Sequence, residues 1–502
     1  MGNVERASGV IAEVRAAGAR EFCVCAGSRN APLLAVLGAL PDVRLFSFVD
    51  ERSAAFFAIG RVKLHGQPVA VVTTSGTAVA ELLPAAIEAY YSGLPLILIS
   101  ADRPARFRGT GAPQSIEQIG IFGPYAETSL ATWTRTRPLH LNVELEEYGV
   151  RQPELPLSNT AAESRTALQP RNAFEPHPAP EPQSAPVARY SKAAALPPHS
   201  KPLIVIGALA PSHRERVRDF VLQVNAPTYA EPLSGLREDP SLPLLRSGER
   251  MIARATFDSV IRIGNVPTLR FWRDLETLDL PVTHYSDLPF AGLTRGDVHP
   301  IDALPSLHGE RDRELFARDR DYAARFARIL DDEPSSELAM FRELSRELPH
   351  GARVYLGNSL PIREWDLAAA REPRGFEYEA NRGANGIDGQ LSTFFGWCAP
   401  ERENVCVVGD LTAIYDLGAP WIVPQLDAPF RIVVVNNGGG RIFGRVASLR
   451  ALDPALRARI IENVHDVRFE DWAAMWNIDV TELRPDDEAS QRVWKRYDEL
   501  WA

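Results

Sequence analysis

The sequence predicts an α/β protein built from three doubly wound parallel sheets. Short apolar runs of strand length alternate with helical patterns from residue 1 to about 145. The same alternation restarts at residue 202 and again near residue 354. Buried parallel strands have such short apolar runs, and helices connect them across both faces of the sheet. A chain of 502 residues also exceeds one ordinary core, so several domains are expected.

The first unit shows the most regular alternation. Its strand patterns are rich in Val, Ile, Leu and Phe, and helical spacing of apolar residues follows each of them. We predict strands at residues 21–25, 43–49, 69–73 and 95–99, and helices at residues 10–17, 31–40, 52–64 and 78–91.

Composition divides the rest of the chain. Residues 151–200 are rich in Pro, Ser, Ala and Glu, which predicts an extended linker with little core. We therefore expect α/β units at residues 1–150, 201–333 and 334–502. In the later units we predict strands at 202–207, 260–264, 354–357, 404–408 and 431–435, and helices at 311–330 and 412–426.

Charge and composition exclude several classes of function. The net charge of −10 offers no basic surface for nucleic acid, and no apolar run approaches the roughly 18–20 residues of a membrane span. The first residues lack the pattern of a secretory signal. Cys23, Cys25, Cys398 and Cys406 lie in apolar stretches without metal-binding spacing, which indicates buried thiols in a reducing cytosol. We expect a cytoplasmic protein.

The most informative feature is a pair of strand ends in the third unit. Residues 409–411 (Gly-Asp-Leu) follow one predicted strand, and residues 436–439 (Asn-Asn-Gly-Gly) follow the next. Parallel strands joined by a crossover place both loops at one edge of the sheet, where α/β proteins bind ligands. Carboxylate, amide and carbonyl oxygens at that edge suit Mg²⁺, which takes its remaining ligands from phosphate and water.

This pair of loops resembles the diphosphate and metal-binding motif of thiamine-diphosphate enzymes, a Gly-Asp step and an Asn-Asn step separated by a crossover. Asp410 and Asn437 are 27 positions apart (437 − 410). The resemblance implies thiamine diphosphate as cofactor, with Mg²⁺ or Mn²⁺ held by Asp410, Asn437 and the carbonyl of Gly439. It also implies a pyrimidine-binding first domain, a middle domain and a diphosphate-binding third domain.

A carboxylate, Glu51, stands at the corresponding edge of the first unit, after the strand at 43–49. In isolation this residue would be read as one that caps the following helix or favours its N-terminal dipole. The family resemblance gives it a catalytic role, because a carboxyl group on the aminopyrimidine ring drives the cofactor into its reactive imino form. Such a carboxyl group should be partly desolvated and have a raised pKa.

Two glycine-containing loops are further candidates for cofactor contact. Thr74, Ser75 and Gly76 would line the cofactor with hydroxyl and amide groups, although the same residues could simply start a well-capped helix. Ile387 stands in the glycine-rich loop 381–389. In thiamine-diphosphate enzymes a bulky apolar residue of this kind enforces the bent cofactor; otherwise Ile387 is a core contact beneath a loop.

Longer runs resemble one branch of that family, the MenD synthases of menaquinone biosynthesis. They lie in the first and third units, in the order of the branch, at residues 26–33, 50–54, 74–78, 101–104, 357–363, 381–389, 409–411 and 439–443. The middle unit matches weakly. The resemblance implies decarboxylation of 2-oxoglutarate on the cofactor, followed by conjugate addition of the succinyl carbanion equivalent to isochorismate.

Both implied substrates are dicarboxylates, so their pocket requires several forked, permanently charged donors. Motif matching assigns these donors, their neutral neighbours and further cofactor contacts. The arginines are Arg29, Arg103, Arg363 and Arg382, the neutral residues are Ser28, Gln114 and Ser359, and the cofactor contacts are Gly409, Leu411, Ile442 and Phe443. The family places its cofactor between the first unit of one subunit and the third of its partner, which implies a homodimer or homotetramer.

Three positions depart from the branch, and other functions stay open. Pro113 stands where the branch usually has Asn, Ala26 stands where it usually has Pro before Gly27, and Arg270 stands at its substrate-binding Lys position. One alternative is another thiamine-diphosphate decarboxylase or carboligase, with fewer cations in its pocket. Another is a non-catalytic descendant, which should have lost Glu51 or a metal ligand. A nucleotide-binding protein is disfavoured because no Gly-x-Gly-x-x-Gly or Walker loop follows a strand.

Overall fold

The computed structural model of the protein describes residues 2–146, 201–275, 278, 280–292 and 296–502. Within these residues the chain forms three parallel sheets of five strands each, with flanking helices. This confirms the α/β class predicted from the sequence. The linker predicted at 151–200 lies outside the described residues, so the domain boundaries stay predictions.

The first sheet has all four strands predicted for it and one more near residue 140. Its strands are β1 (Glu21–Cys25), β2 (Arg44–Phe48), β3 (Val69–Thr73), β4 (Leu96–Asp102) and β5 (Leu139–Glu144), in the order β2-β1-β3-β4-β5. Its helices are α1 (Asn3–Ala16), α2 (Ala31–Gly38), α3 (Glu51–His65), α4 (Thr77–Ala80) and α5 (Leu83–Ser92). The helix predicted at 78–91 is broken into two because Pro84, in the first turn of α5, cannot continue a preceding helix.

The second sheet is shorter at its edges. Its strands are β6 (Pro202–Ile206), β7 (Thr228–Ala230), β8 (Ser259–Ile263), β9 (Val282–Tyr285) and β10 (Val298–His299), in the order β10-β9-β8-β6-β7. Its helices are α6 (Arg214–Val224), α7 (Arg270–Asp274) and the long amphipathic α8 (Arg313–Asp332).

The third sheet carries the predicted metal loops. Its strands are β11 (Arg353–Leu356), β12 (Glu377–Glu379), β13 (Asn404–Gly409), β14 (Phe430–Val435) and β15 (Val480–Leu483), in the order β12-β11-β13-β14-β15. Its helices are α9 (Glu337–Glu347), α10 (Leu360–Ala368), α11 (Gln390–Trp397), α12 (Asp410–Tyr415), α13 (Ala447–Arg450), α14 (Pro454–Ile460), α15 (Phe469–Trp476) and α16 (Asp487–Trp501).

One predicted helix of this unit, at 412–426, is wrong in detail. The crossover consists of α12 followed by a 3₁₀ segment, Ala419–Gln425. Gly418 and Pro420 lie at the break, and neither residue supports a continuous α-helix there. The crossover still returns the chain to a parallel strand, so the two loops lie at one sheet edge as predicted.

The first and third units share one hydrophobic core, in which α3 crosses α11. The crossing is close because each helix presents a glycine to the other. A Cβ on Gly60 would lie 2.1 Å from the Thr393 carbonyl oxygen, and a Cβ on Gly396 would lie 2.1 Å from the Phe57 carbonyl oxygen. This contact fixes the direction of α3, whose first residue is Glu51.

Candidate active site

Glu51 begins α3, but it does not cap it. The cap is Asp50, whose carboxylate accepts hydrogen bonds from the Ser53 amide at 3.1 Å and the Ser53 hydroxyl at 2.9 Å. Burial raises the pKa of the half-buried Glu51 carboxyl group, and the negative charges of Asp50 and Glu81 raise it further. Glu51 therefore does not cap α3, although it lies in the first turn, where a carboxylate favours the helix dipole. The direction of its pKa shift is the one expected of a proton-bearing carboxyl group.

The other first-unit candidates gather at the carboxyl edge of the same sheet. A Cβ on Gly27, beside Ser28, would lie 2.5 Å from the Thr74 side chain. The Thr74 hydroxyl is buried and has no hydrogen-bond partner among the described residues. A buried donor of this kind suits a polar ligand atom. Ser75 is likewise buried in this loop.

A second contact joins this loop to the substrate candidates. A Cβ on Gly76, which has a φ of +86°, would lie 3.0 Å from the Gln114 Cα. Arg103 donates a hydrogen bond of 2.8 Å from Nε to the Pro113 carbonyl oxygen, so proline at position 113 keeps a polar contact that its backbone can make. Gly76 is the N-cap residue of α4 and offers no side chain for capping, which argues against the simple helix-start interpretation.

Arg29 differs from the other three predicted arginines. Its side chain is buried, and its guanidinium donates a hydrogen bond of 3.0 Å to the Leu145 carbonyl oxygen. The neighbouring Ser28 is exposed. Part of the hydrogen-bonding capacity of Arg29 therefore holds the end of β5 in place.

In the third unit Asn358 organises the substrate candidates. Its side-chain nitrogen, Nδ2, donates at 2.7 Å to the carbonyl oxygens of both Asn381 and Gly386. Its Oδ1 accepts from the Arg382 guanidinium at 2.8 Å. Arg363 in turn donates to the Ser359 carbonyl oxygen at 2.5 Å. The structure thus brings Ser359, Arg363 and Arg382 together around the end of β11.

Two of the predicted neutral residues have unusual backbone conformations. Gln114 has a φ of +54°, and Ser359 has φ +72° and ψ −124°. Residues other than glycine rarely adopt positive φ, and such strain costs about 1–3 kcal/mol and concentrates at functional sites. Both strained positions were selected from the sequence by motif matching, which carries no information on backbone strain.

The glycine-rich loop 381–389 also borders a cavity of about 380 Å³. The first unit supplies an apolar wall that includes Phe56, Leu83 and Ile87 from α3 and α5. The loop supplies Asn381, whose Oδ1 is buried and unpartnered within the described residues. Ile387 is half-buried in this loop, next to the lining residues Gly386 and Asp388.

At the predicted metal edge, Asp410 is buried as the first residue of α12. Its Oδ1 accepts from the Leu411 amide at 2.6 Å, and its Oδ2 accepts from the Gly439 amide at 2.8 Å. His465 Nε2 lies 3.3 Å from the same Oδ2. Burial raises the pKa of the Asp410 carboxyl group, which the backbone amides oppose. The carboxylate is held in one orientation between the two predicted loops.

Asn437 provides the test of whether these residues fit a metal. Its Nδ2 donates to Glu337 Oε1 at 3.0 Å, whereas its Oδ1 is buried without a hydrogen-bond partner among the described residues. A buried, unpartnered amide oxygen beside a buried carboxylate is the donor set that a hard divalent cation takes. The described residues contain no group of three or more His, Cys, Asp and Glu side chains arranged for a metal, so this site depends on a single carboxylate.

The remaining candidates surround this edge. The Gly439 carbonyl oxygen accepts from the Arg441 amide at 2.8 Å, which leaves its second lone pair for a ligand. Ile442 and Phe443 lie in the 3₁₀ turn Arg441–Arg445, with Phe443 36% exposed. Gly409 ends β13 directly before Asp410.

The middle unit contributes an acidic residue near Arg382, Glu231, that the sequence did not suggest. Burial lowers the pKa of the Arg382 guanidinium to about 10, and the buried Glu231, after β7, opposes this shift. Burial raises the pKa of Glu231 itself to about 7. Arg270, the predicted substrate contact, is instead exposed on α7, with its Nε 4.0 Å from Asp274 Oδ2.

Sequence reasoning also missed Asn358, Glu337 and Glu88 as supporting residues. Asn358 lay within a matched run, so its place between Gly357 and Ser359 was an available signal. Glu337 and Glu88 lie on helices outside the matched runs, and no local pattern indicates what they contact. None of the described helices combines the length and the apolar character needed to cross a bilayer.

Comparison with known proteins identifies the class. Residues 5–121 match the model of the N-terminal thiamine pyrophosphate (TPP)-binding domain of thiamine pyrophosphate enzymes. With three parallel sheets and the candidate site at their edges, this match makes the chain a thiamine-diphosphate-dependent enzyme.

Full-length relatives identify the family. Proteins named 2-succinyl-5-enolpyruvyl-6-hydroxy-3-cyclohexene-1-carboxylate synthase include one from Bdellovibrio bacteriovorus that is 41% identical and covers 100% of both chains. One from Akkermansia muciniphila is 36% identical over 96% of this chain and 92% of its own. One from Roseiflexus is 30% identical over 98% of this chain and 93% of its own. The chain belongs to this synthase family.

Proposed function

We propose that this enzyme decarboxylates 2-oxoglutarate and adds the resulting four-carbon unit to isochorismate, giving 2-succinyl-5-enolpyruvyl-6-hydroxy-3-cyclohexene-1-carboxylate for menaquinone biosynthesis. The observation that carries this proposal is full-length similarity to synthases of that name. The grouping of Arg363 and Arg382 around Asn358 supports it, because dicarboxylate substrates require clustered cations.

Glu51 has the role of the proton-bearing carboxyl group. Thiamine diphosphate, when bound, supplies the electron sink that decarboxylation of a 2-oxoacid requires. Glu51 would hold a proton toward the aminopyrimidine nitrogen, and the direction of its pKa shift, raised by burial, supports this role. Thr74, Ser75 and Gly76 would line the cofactor, and Ile387 would fix its bent shape.

Mg²⁺ or Mn²⁺ would be held by Asp410, Asn437 and the Gly439 carbonyl oxygen. The unpartnered Oδ1 of Asn437 supports this assignment. Gly409, Leu411, Ile442 and Phe443 would complete the cofactor site; they are proposed from their positions around the same edge.

Arg29, Arg103, Arg363 and Arg382 would orient the substrate carboxylates. Ser28, Gln114 and Ser359 would add neutral hydrogen bonds, and the strained backbones of the last two support a functional role. A homodimer or homotetramer in the cytoplasm is part of the proposal. Four free, buried cysteines support the reducing compartment.

The direct test is carbon dioxide release from 2-oxoglutarate, with Mg²⁺ and thiamine diphosphate, in the presence and absence of isochorismate. Release coupled to stoichiometric loss of isochorismate is the expected result. Release from pyruvate in place of 2-oxoglutarate would favour another decarboxylase or carboligase. Cofactor binding without turnover of either acid would favour a non-catalytic descendant.

A further inference from the structure

The metal candidate Asn437 depends on a carboxylate that no motif includes. Asn437 Nδ2 donates to Glu337 Oε1 at 3.0 Å. The nitrogen and the oxygen of a side-chain amide point in different directions, so a hydrogen bond that fixes the nitrogen also fixes the direction of the oxygen. In Asn437 that oxygen, Oδ1, is buried and has no hydrogen-bond partner among the described residues. The orientation of this oxygen is therefore set by Glu337.

Glu337 is itself held rigidly. It is the first residue of α9 and is 6% exposed. Its backbone amide donates to the Ser490 hydroxyl on α16 at 3.0 Å. Its carboxyl group lies within hydrogen-bonding reach of the buried Glu364, which forms an ion pair with Arg445. Glu364 on α10 and Arg445 of the 3₁₀ turn thus lie on the carboxyl side of Glu337, whereas Ser490 contacts only its backbone.

The backbone of Asn437 is fixed independently of its side chain. Arg441 Nε donates to the Asn437 carbonyl oxygen at 2.9 Å. Without Glu337, Arg441 would still hold the backbone of the loop, whereas the side-chain amide of Asn437 could rotate about its Cβ–Cγ bond. The effect of Glu337 therefore acts on the direction of Oδ1 more than on the fold of the loop.

From this arrangement we propose that Glu337 is a positioning residue that presents the Asn437 oxygen to the divalent metal. The inference rests on the proposed metal site and adds a residue to its support. Groups that orient a ligand typically change metal affinity about 10–100-fold when removed.

The test is Mn²⁺ binding to the full-length protein in the presence of thiamine diphosphate, measured by the electron paramagnetic resonance signal of free Mn²⁺. Glu337→Ala should weaken Mn²⁺ binding about tenfold or more, whereas Glu337→Gln should stay within about threefold of the parent, because glutamine still offers an acceptor oxygen. Glu337→Met keeps the volume without the acceptor and should behave as Glu337→Ala. Glu337→Met replaces Glu337→Ala in this test if the alanine variant does not fold.

Ser490→Ala is the matched control, because it removes a contact of the Glu337 backbone and leaves the carboxyl group in place. It should bind Mn²⁺ as the parent does. Parent-like binding by a folded Glu337→Ala or Glu337→Met variant, or equal loss in Glu337→Gln, would overturn the positioning role. If Asp410→Asn binds Mn²⁺ as tightly as the parent does, the proposed metal site itself is overturned.

Discussion

Glu88, in the first unit, accepts a hydrogen bond of 2.8 Å from the backbone amide of Gly383, in the third. Its second carboxylate oxygen accepts from the Ala384 amide at 2.7 Å. One buried carboxylate therefore fixes the loop that carries both Arg382 and Ile387. The contact between α5 and the loop 381–389 therefore holds Arg382 and Ile387, two proposed site residues, in place.

We expect Glu88→Ala to raise the KM for isochorismate several-fold and to lower the melting temperature. The substitution removes two partly buried hydrogen bonds from backbone amides to a carboxylate, each worth at most about 1.5–3 kcal/mol. Steady-state kinetics and thermal unfolding measure both effects. Ser92→Ala is the control, since it removes the hydroxyl that donates to Glu88 at 3.0 Å and leaves the carboxylate that accepts from both loop amides. Parent-like kinetics in Glu88→Ala would show that the loop holds its shape unaided.

Glu51→Gln should lower turnover by well over about tenfold while thiamine diphosphate still binds, because glutamine cannot hold and release the proton. Turnover is measured as carbon dioxide release, and cofactor affinity by calorimetry. Near-normal turnover would contradict the proposed role of Glu51.

The same variant has a predictable pH dependence of stability. Because the pKa of Glu51 is raised on folding, its contribution to stability is complete below the unfolded pKa of Glu and is lost as pH rises through the folded value. Glu51→Gln should therefore unfold at an increasingly higher temperature than the parent as pH increases from 4 to 8. Glu13→Gln, at an exposed position on α1, should show no such trend.

Ser359 separates backbone strain from side-chain chemistry. Ser359→Gly should lower activity and raise thermal stability, because glycine adopts a φ of +72° without the penalty of about 1–3 kcal/mol. Ser359→Ala should lower activity equally without the gain in stability. If Ser359→Gly keeps full activity, the hydroxyl has no role in substrate binding.

Arg382→Ala should mainly impair use of isochorismate and leave carbon dioxide release from 2-oxoglutarate alone closer to normal. Arg382→Lys should recover little, since an ammonium group cannot reproduce a forked pair of donors. Arg402→Ala removes a surface cation that pairs with Glu377 and serves as control. An unchanged response of Arg382→Ala to isochorismate would remove this residue from the substrate site.

Mixing two inactive variants tests whether sites form between subunits. In a mixed dimer of Glu51→Gln and Asp410→Asn, one site combines both defects and the other has neither. Equal mixing with free exchange should therefore restore about one quarter of the parent activity. If each site is built from one chain, every site carries a defect and activity does not return.

The sequence was most predictive where local pattern and chemistry coincide. The strand ends before Asp410 and Asn437 lie at one edge, because apolar runs of strand length mark buried parallel strands. The two-residue edge strand β10, which was not predicted, shows how weak that signal becomes at sheet edges. The crossover at 412–426 failed because Gly418 and Pro420 override an otherwise helical pattern.

The supporting contacts could not be predicted. Glu88 and Gly383 are 295 positions apart, and Asn437 and Glu337 are 100 apart. Only tertiary packing decides which distant acceptor an amide finds. The sequence also left the capping alternative for Glu51 open, since Asp50 and Glu51 are adjacent carboxylates and backbone geometry alone determines which one turns back onto the helix.

The crossing of Gly60 and Gly396 gives the chain an internal symmetry. Helix α3 follows the second strand of its unit and α11 follows the second strand of its own, in sheets with the same relative strand order. Glu51 and Ile387 each precede the crossing glycine by nine positions (60 − 51 and 396 − 387). Each helix therefore meets the other through the same kind of contact, and Glu51 and Ile387 stand at the same sequence distance before it although they share no chemistry. In the proposed dimer, a two-fold axis between the chains would repeat this arrangement in the second copy.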